Sequence, residues 1–241
     1  MQVLKFGGSS VADAQNMSKV VDIVIKAVDR DRTILVVSAI SGCNDTLIKI
    51  GTLASERDES YKTLIDKLQQ RHHDIINELL PREKQNESLA VCDSLFDSLR
   101  SITQGVFLLG ELSPASLDAI QSFGELWSTK ILATKLASIG ISTKWIDSRQ
   151  IIRTVAKGDK NVVDVQKTYY RVNEMVESNR ITQLFVLPGF IASDKQGRTT
   201  TLGRGGSDYT ASLYAVGCKA RVLEIWTDVP GMMTSNPKIV P

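Results

Sequence analysis

Short, almost wholly apolar runs recur along the chain, and longer stretches of helical spacing separate them. Val3-Leu4-Lys5-Phe6 is the first run, and it stops at Gly7-Gly8. A helical pattern follows through Val20, Val21, Val24, Ala27 and Val28. Ile34-Leu35-Val36-Val37 reads as a second strand, apolar enough to be buried on both faces. Lys144-Trp145-Ile146 gives a third, weaker strand, and Leu184-Phe185-Val186-Leu187 a fourth that ends at Pro188-Gly189. Val222-Leu223-Glu224-Ile225-Trp226 is a fifth. Strands separated by helices predict right-handed βαβ units. The expected fold is therefore α/β: a three-layer α/β/α sandwich around a mostly parallel sheet.

The stretch from about 55 to 112 breaks this rhythm and contains no convincing strand. Tyr61, Leu64, Leu68, Ile75, Ile76 and Leu79 recur at helical spacing, and Pro81 ends that helix. Leu89, Cys92, Leu95, Phe96, Leu99 and Ile102 predict another. This region reads as a helical elaboration packed beside the α/β core. Ser113-Pro114 then forms an N-cap and first-turn pair, opening a helix towards Ala137. The C-terminal stretch Asn236–Pro241 has no stop-like logic, so residues 1–241 read as one domain whose natural chain is expected to continue.

Composition adds exclusions. Hydrophobic residues make up 42% and charged residues 23% of the 241 residues, which is ordinary for a globular domain able to bury a core. A formal net charge of +2 gives no reason to expect nucleic acid or a membrane surface as partner. The three cysteines, Cys43, Cys92 and Cys218, form neither a disulfide framework nor a zinc signature, and a reducing cytoplasm is the expected compartment. No signal-peptide pattern opens the chain, and no apolar stretch reaches the length of a membrane span.

Candidate chemistry gathers at strand ends. Lys5-Phe6-Gly7-Gly8-Ser9-Ser10 sits where a strand opens into a helix. Adjacent glycines admit a ligand close to the backbone, free N–H groups favour phosphate oxygens, and Lys5 could neutralise a transferring phosphoryl group. The plainer alternative is a strand-to-helix turn with a snorkelling lysine. The spaced Walker pattern and the protein-kinase motifs are absent.

Thr199 to Tyr209 places three glycines around Arg204, followed by Ser207 and Asp208 before a helix at 210–216. Arginine can grip a carboxylate or phosphate through two parallel hydrogen bonds, and Asp208 can cap a helix or orient a lysine. Val37 to Asp45, with Ser38 and Asn44, follows a buried strand, where α/β proteins place ligands. In Ser122-Phe123-Gly124-Glu125, a mid-helix glycine suggests a close contact. Glu125 is either a solvated helix residue or the partner of a substrate ammonium group. Trp226 to Gly231 reads on its own as a structural turn. The two histidines, His72 and His73, sit in the helical elaboration; His72 falls on its apolar stripe and reads as packing or a helix contact rather than as a metal ligand, with no second ligand cluster nearby. Cys43 has no histidine near it in sequence and is a poor candidate nucleophile.

Together, Lys5–Ser10, Val36–Gly42, Phe123–Glu125, Gly197–Thr210 and Trp226–Gly231 closely resemble the aspartate kinase (aspartokinase) family within the amino-acid kinase superfamily. The segments occur in the family's order, and the run Gly-Arg-Thr-Thr-Thr-Leu-Gly-Arg-Gly-Gly-Ser-Asp-Tyr-Thr at Gly197–Thr210 is the most specific. The helical elaboration resembles longer members, including those fused to a homoserine dehydrogenase.

The resemblance implies transfer of the ATP γ-phosphoryl group to the β-carboxylate of L-aspartate, the opening reaction of lysine, threonine and methionine biosynthesis. It implies ATP with Mg2+, L-aspartate as partner, and a homo-oligomer such as a dimer. It also implies roles. Lys5, with Gly7, Gly8 and Ser9, would handle phosphoryl groups, and Asp208 would hold Lys5. Glu125 would take the substrate ammonium, and Arg204 with Ser207 the α-carboxylate, alongside Ser38. Thr227, Asp228, Met233 and Lys238 would line the nucleotide site. A family threonine falls at Asn44 or is shifted to Thr46, a family tyrosine near the adenine is Met233, and a more usual arginine is Lys238. Asp147 and Arg149 match a family Asp-x-Arg element. No metal-binding residue is named from the sequence. The competing readings are another carboxylate kinase, of the acetylglutamate type, and a non-catalytic amino-acid- or nucleotide-binding module.

Overall fold

The computed structural model describes residues 1–158 and 160–227. In chain order the elements are β1 (Gln2–Phe6), α1 (Ala14–Arg30), β2 (Thr33–Val37), α2 (Cys43–Ser55), α3 (Ser60–Leu79), α4 (Arg82–Leu109), α5 (Pro114–Ser138), β3 (Thr143–Trp145), the single turn α6 (Ser148–Ile151), β4 (Thr154–Lys157), β5 (Lys160–Val163), α7 (Val165–Glu177), β6 (Leu184–Pro188), β7 (Ile191–Ser193), β8 (Thr199–Thr201), α8 (Gly206–Gly217) and β9 (Val222–Trp226). A short 3-10 turn, Gly8–Val11, follows β1.

The five apolar runs form one parallel sheet in the order β3-β6-β2-β1-β9. Side chains alternate across it. Leu4, Phe6, Leu35, Val37, Leu184 and Val186 join one core with α1, α3, α4 and α5, while Val3, Ile34, Val36, Phe185 and Leu187 join a second core with α7 and α8. Helices thus cover both faces, as the α/β pattern predicts. The period of two also decides where Lys5 points. It shares the Val3 face of β1, under α8.

The stretch read as a helical elaboration folds as α3 and α4. The preceding α2 joins them against α5, so the helical layer begins at Cys43 rather than at about residue 55. Trp127 of α5 locks this layer: Phe96 stacks on it at 4.0 Å between centroids, and Phe123 and His72 lie at 5.6 and 4.8 Å. His72 is fully buried, and its Nδ1 meets Leu68 O at 2.7 Å, so it packs as expected. Burial pushes its pKa down to about 4, keeping the ring neutral. Two small antiparallel hairpins, β4-β5 and β7-β8, were not read from the sequence. Among the described residues no helix is long and apolar enough to cross a membrane.

Gly124 is the tightest point between α5 and the segment after β2. A Cβ there would lie 2.7 Å from Ala39 Cβ. Alanine gains about 1 kcal/mol of helix propensity over glycine, but overpacking typically costs about 1–3 kcal/mol. We predict that Gly124→Ala lowers the thermal midpoint. Gly105→Ala, in α4 where a new Cβ would meet nothing within 4 Å, should raise it. A midpoint for Gly124→Ala at or above wild type would contradict the close-approach account.

Candidate active site

The C-terminal ends of β1, β2 and β6 open into one cavity of about 560 Å³, the place where parallel α/β sheets hold ligands. Lys5, Gly8, Ser38, Asn44, Glu125, Arg204, Ser207 and Asp208 all line it.

At one side, Lys5 Nζ lies 2.7 Å from Asp208 Oδ1. The lysine side chain is only 10% exposed, so its charge needs a partner. Asp208 stands in the first turn of α8, where the helix dipole favours an anion. Strand alternation on β1 and the start of α8 therefore create the pair.

At the other side, Glu125 is 4% exposed on α5. It accepts a hydrogen bond from the backbone N–H of Ala39, while its Oε2 is buried with no partner among the described residues. Burial, the dominant cause, pushes its pKa up to about 8, against the lowering by the Ala39 bond. The site therefore holds a carboxyl that is largely neutral at pH 7 and, among the described residues, lacks a donor on one oxygen. Ser128 ties the same region to β2 by donating to Ser38 O at 2.8 Å.

Two helices begin at the cavity wall with glycine N-caps that have no side-chain cap: α2 after Gly42 and α8 after Gly205. Within the described residues no backbone acceptor takes up the N–H of Asn44, Asp45 or Ser207, so these donors are available to anionic groups. Gly203 and Gly205, at φ 72° and 74°, hold the left-handed turns on either side of Arg204. Arg204 is exposed and makes no ion pair among the described residues. Gln121 Nε2 donates to Asn44 Oδ1 at 3.1 Å, which turns the Asn44 amide NH2 away from Gln121. Thr201 donates to Asp118 Oδ1 at 2.7 Å. Phe190, also on the wall, has φ 65°. For a bulky residue this is strained by roughly 1–3 kcal/mol. Its N–H donates to Thr210 Oγ1 at 3.0 Å, and its carbonyl accepts from Leu202 N at 2.9 Å.

A family model for the "Amino acid kinase family" matches residues 1–241. The chain belongs to the amino acid kinase family. Lysine-sensitive aspartokinase 3 of Escherichia coli (strain K12) is 33% identical over 240 residues, covering 99% of this chain and 51% of that protein. The chloroplastic bifunctional aspartokinase/homoserine dehydrogenase 1 of Arabidopsis thaliana is 28% identical over 239 residues, 99% of this chain and 26% of that protein. The crystal structure of E. coli aspartokinase III in complex with aspartate and ADP (R-state) superposes with a TM-score of 0.88 at 30% identity, covering 100% of this chain and 52% of that one. The chain thus spans between a quarter and about half of the length of these relatives.

Several expected site residues of this amino acid kinase family chain lie elsewhere. The Gly7 N–H donates to Trp226 O at 3.3 Å, extending the β1–β9 ladder, so it is not a free donor as expected; Gly8 N–H takes no backbone acceptor. Ser9 is exposed on the 3-10 turn, and Thr227 follows β9; neither lines the cavity. Asp228, Met233 and Lys238 lie outside the described residues. Of the Asn44 and Thr46 alternatives, Asn44 faces the cavity, while Thr46 Oγ1 donates back to Gly42 O at 2.9 Å. Arg149 binds both oxygens of Asp147 through Nε at 3.0 Å and donates to Thr199 Oγ1 at 3.0 Å, so this pair ties α6 to β8. Cys43 is buried, and burial followed by the nearby Glu125 charge pushes its thiol pKa up, which removes it as a nucleophile. Gln121 and Phe190 were not read from the sequence, whereas Thr201 belongs to the Thr199–Tyr209 segment singled out there.

Glu125 sets a pH dependence. Its folded pKa is raised above 4.5, so its contribution to stability is fully present below about pH 4.5 and is lost as pH rises through about 8. We predict that the unliganded protein loses stability over this window and that Glu125→Gln flattens the loss. Denaturant midpoints measured at several pH values check it. Parallel slopes for the two proteins would contradict a protonated, buried Glu125.

Proposed function

We propose that this chain is the catalytic part of an aspartate kinase, transferring the γ-phosphoryl group of ATP to the β-carboxylate of L-aspartate to give 4-phospho-L-aspartate and ADP. The observation that carries the reading is the polarity of the cavity at the strand ends. A buried carboxyl, Glu125, with one oxygen unpaired among the described residues lies on its wall together with an ion-paired lysine, Lys5, and an arginine, Arg204, that makes no ion pair among those residues. An acidic α-amino acid presents one cation and two anions: Glu125 suits the ammonium, Arg204 the α-carboxylate, and Ser38 with Asn44 the side-chain carboxylate. The aspartate and ADP bound to E. coli aspartokinase III support the same reading.

In this reading the substrate ammonium pairs with Glu125 Oε2. Its arrival lowers the Glu125 pKa and ionises the carboxyl, because an opposite charge favours the charged form. Arg204 grips the α-carboxylate, with the Ser207 N–H beside it. Ser38 and the Asn44 amide NH2 steady the β-carboxylate. That carboxylate is already ionised at neutral pH and needs no general base. One of its oxygens attacks the γ-phosphorus, the bond to the β–γ bridging oxygen breaks, and ADP departs with that electron pair. Lys5, held by Asp208, neutralises charge on the transferring group, and the Gly8 N–H adds a donor. Alignment and charge neutralisation carry catalysis.

Among the described residues no group of three or more His, Cys, Asp or Glu side chains could hold a metal ion. In this reading a magnesium ion would be held mainly by nucleotide phosphates and water. When bound, it would offset phosphate charge.

An N-acetylated amino acid would bring a neutral amide rather than a cation to Glu125, and so would not favour its ionised form. A binding module without catalysis would have no use for a lysine oriented by an aspartate at the phosphoryl side.

The intact protein should form hydroxamate-detectable acyl phosphate from ATP and L-aspartate. Equal rates with L-glutamate, or no product with either, would sink the claim. Lys5→Ala should reduce kcat by about 10²-fold or more, while aspartate affinity holds within roughly threefold. A kcat within a few-fold of wild type would show that Lys5 is not the phosphoryl stabiliser.

A further inference from the structure

We propose that Arg71, on α3 in the helical layer, is a positioning residue of the active site, fastening together the two loops that handle the phosphoryl group and the acceptor. The inference rests on the kinase reading above for its kinetic consequence but not for its geometry.

Arg71 Nη1 donates to Ser41 O at 2.8 Å, and Nη2 donates to Ala12 O at 2.8 Å. Ser41 belongs to the segment that runs from β2 into α2 and lines the cavity together with Ser38, Gly42 and Asn44. Ala12 closes the 3-10 turn that starts at Gly8. Beyond the strand ladder, these two loops meet directly through Ser41 N donating to Gly8 O at 3.2 Å. The two arms of one guanidinium add a second, rigid tie on their outer side. A planar fork suits this task, and a lysine ammonium does not reproduce it.

Arg71 is itself held in place. His72, the next residue, is fully buried, bonded to Leu68 O, and packed against Trp127 and Phe96. Trp127 lies two positions from Glu125 on α5. Rotation of α3 about its axis would break that aromatic contact, so Arg71 and Glu125 move as parts of one block. Among the described residues Arg71 has no carboxylate partner in an ion pair. Its charge-assisted bonds go to two loop carbonyls.

In phosphoryl transfer the distance between the acceptor oxygen and the phosphorus decides the rate, and a shift of about 1 Å can cost about 10²-fold. Removing Arg71 leaves every substrate-contacting group on its own loop but loosens the spacing between the loops. The loss therefore falls on kcat.

Arg71→Ala and Arg71→Lys in the intact protein test this. We expect kcat to fall about tenfold or more, KM for aspartate and for ATP to stay within roughly threefold, and millimolar guanidinium to restore part of the Arg71→Ala rate without raising that of wild type. Arg71→Lys should recover only a minor part. Hydrogen exchange provides a readout that needs no catalysis. Amides at 8–12 and 38–44 should exchange faster in Arg71→Ala, while those of the α3–α4 core stay unchanged. A kcat within about twofold of wild type, or a loss confined to KM, would overturn the proposal. So would unchanged exchange in the two loops, or faster exchange throughout the helical layer, which would mark a merely structural role. If the wild-type protein made no acyl phosphate, the kinase reading would fail separately, and loop exchange would still decide the clamp.

Discussion

One oxygen of Glu125 is buried without a donor, and much of the molecule is arranged to keep it so. A carboxyl in that state is stable only if it stays protonated or if a cation comes to meet it. The Ala39 N–H satisfies the other oxygen, and this requires α5 to approach the segment after β2 as closely as Gly124 allows. The Trp127, Phe96 and His72 cluster fixes α5 against α3 and α4 at that depth. The helical layer is thus the reason that a charged group can be presented from below the floor of the site.

The opposite requirement governs Lys5. A buried ammonium must be paired, and strand alternation carries it to the α8 face, where Asp208 waits in a first helical turn. The site therefore has its groups on both sides of the sheet's edge. Glu125 rises from the α5 side, and Asp208, Ser207 and Arg204 descend from the α8 side. The strand ends of β1, β2 and β6 lie between them. A zwitterion with an extra carboxylate matches that division better than a nucleotide alone, because a nucleotide carries no cationic group to meet Glu125.

Much of the frame was legible in the sequence because doubly covered strands are apolar on both faces. All five apolar runs became neighbours in one sheet. The two hairpins were not legible, since Thr154–Lys157 with Lys160–Val163, and Thr199–Thr201, are short and polar. The site was legible where glycines and charges cluster at strand ends, as at Lys5, Glu125, Arg204 and Asp208. It was not legible where tertiary contacts decide the outcome. Gly7 looked like a free donor until β9 took its N–H. Gln121 and Arg71 sit on amphipathic helices, and no local pattern tells which polar residue of such a helix turns towards a loop. The left-handed backbone of Phe190 has no sequence signal for so bulky a residue.

The central claim is that the buried Glu125 carboxyl is largely neutral at pH 7 and becomes ionised when the ammonium of an added aspartate meets it. Calorimetric titration with L-aspartate at pH 7, repeated in buffers of different ionisation enthalpy, measures this directly. With a carboxyl held near pKa 8, the account predicts release of close to one proton per aspartate bound, with none released by Glu125→Gln. Aspartate binding to the wild-type protein with no proton release would contradict it.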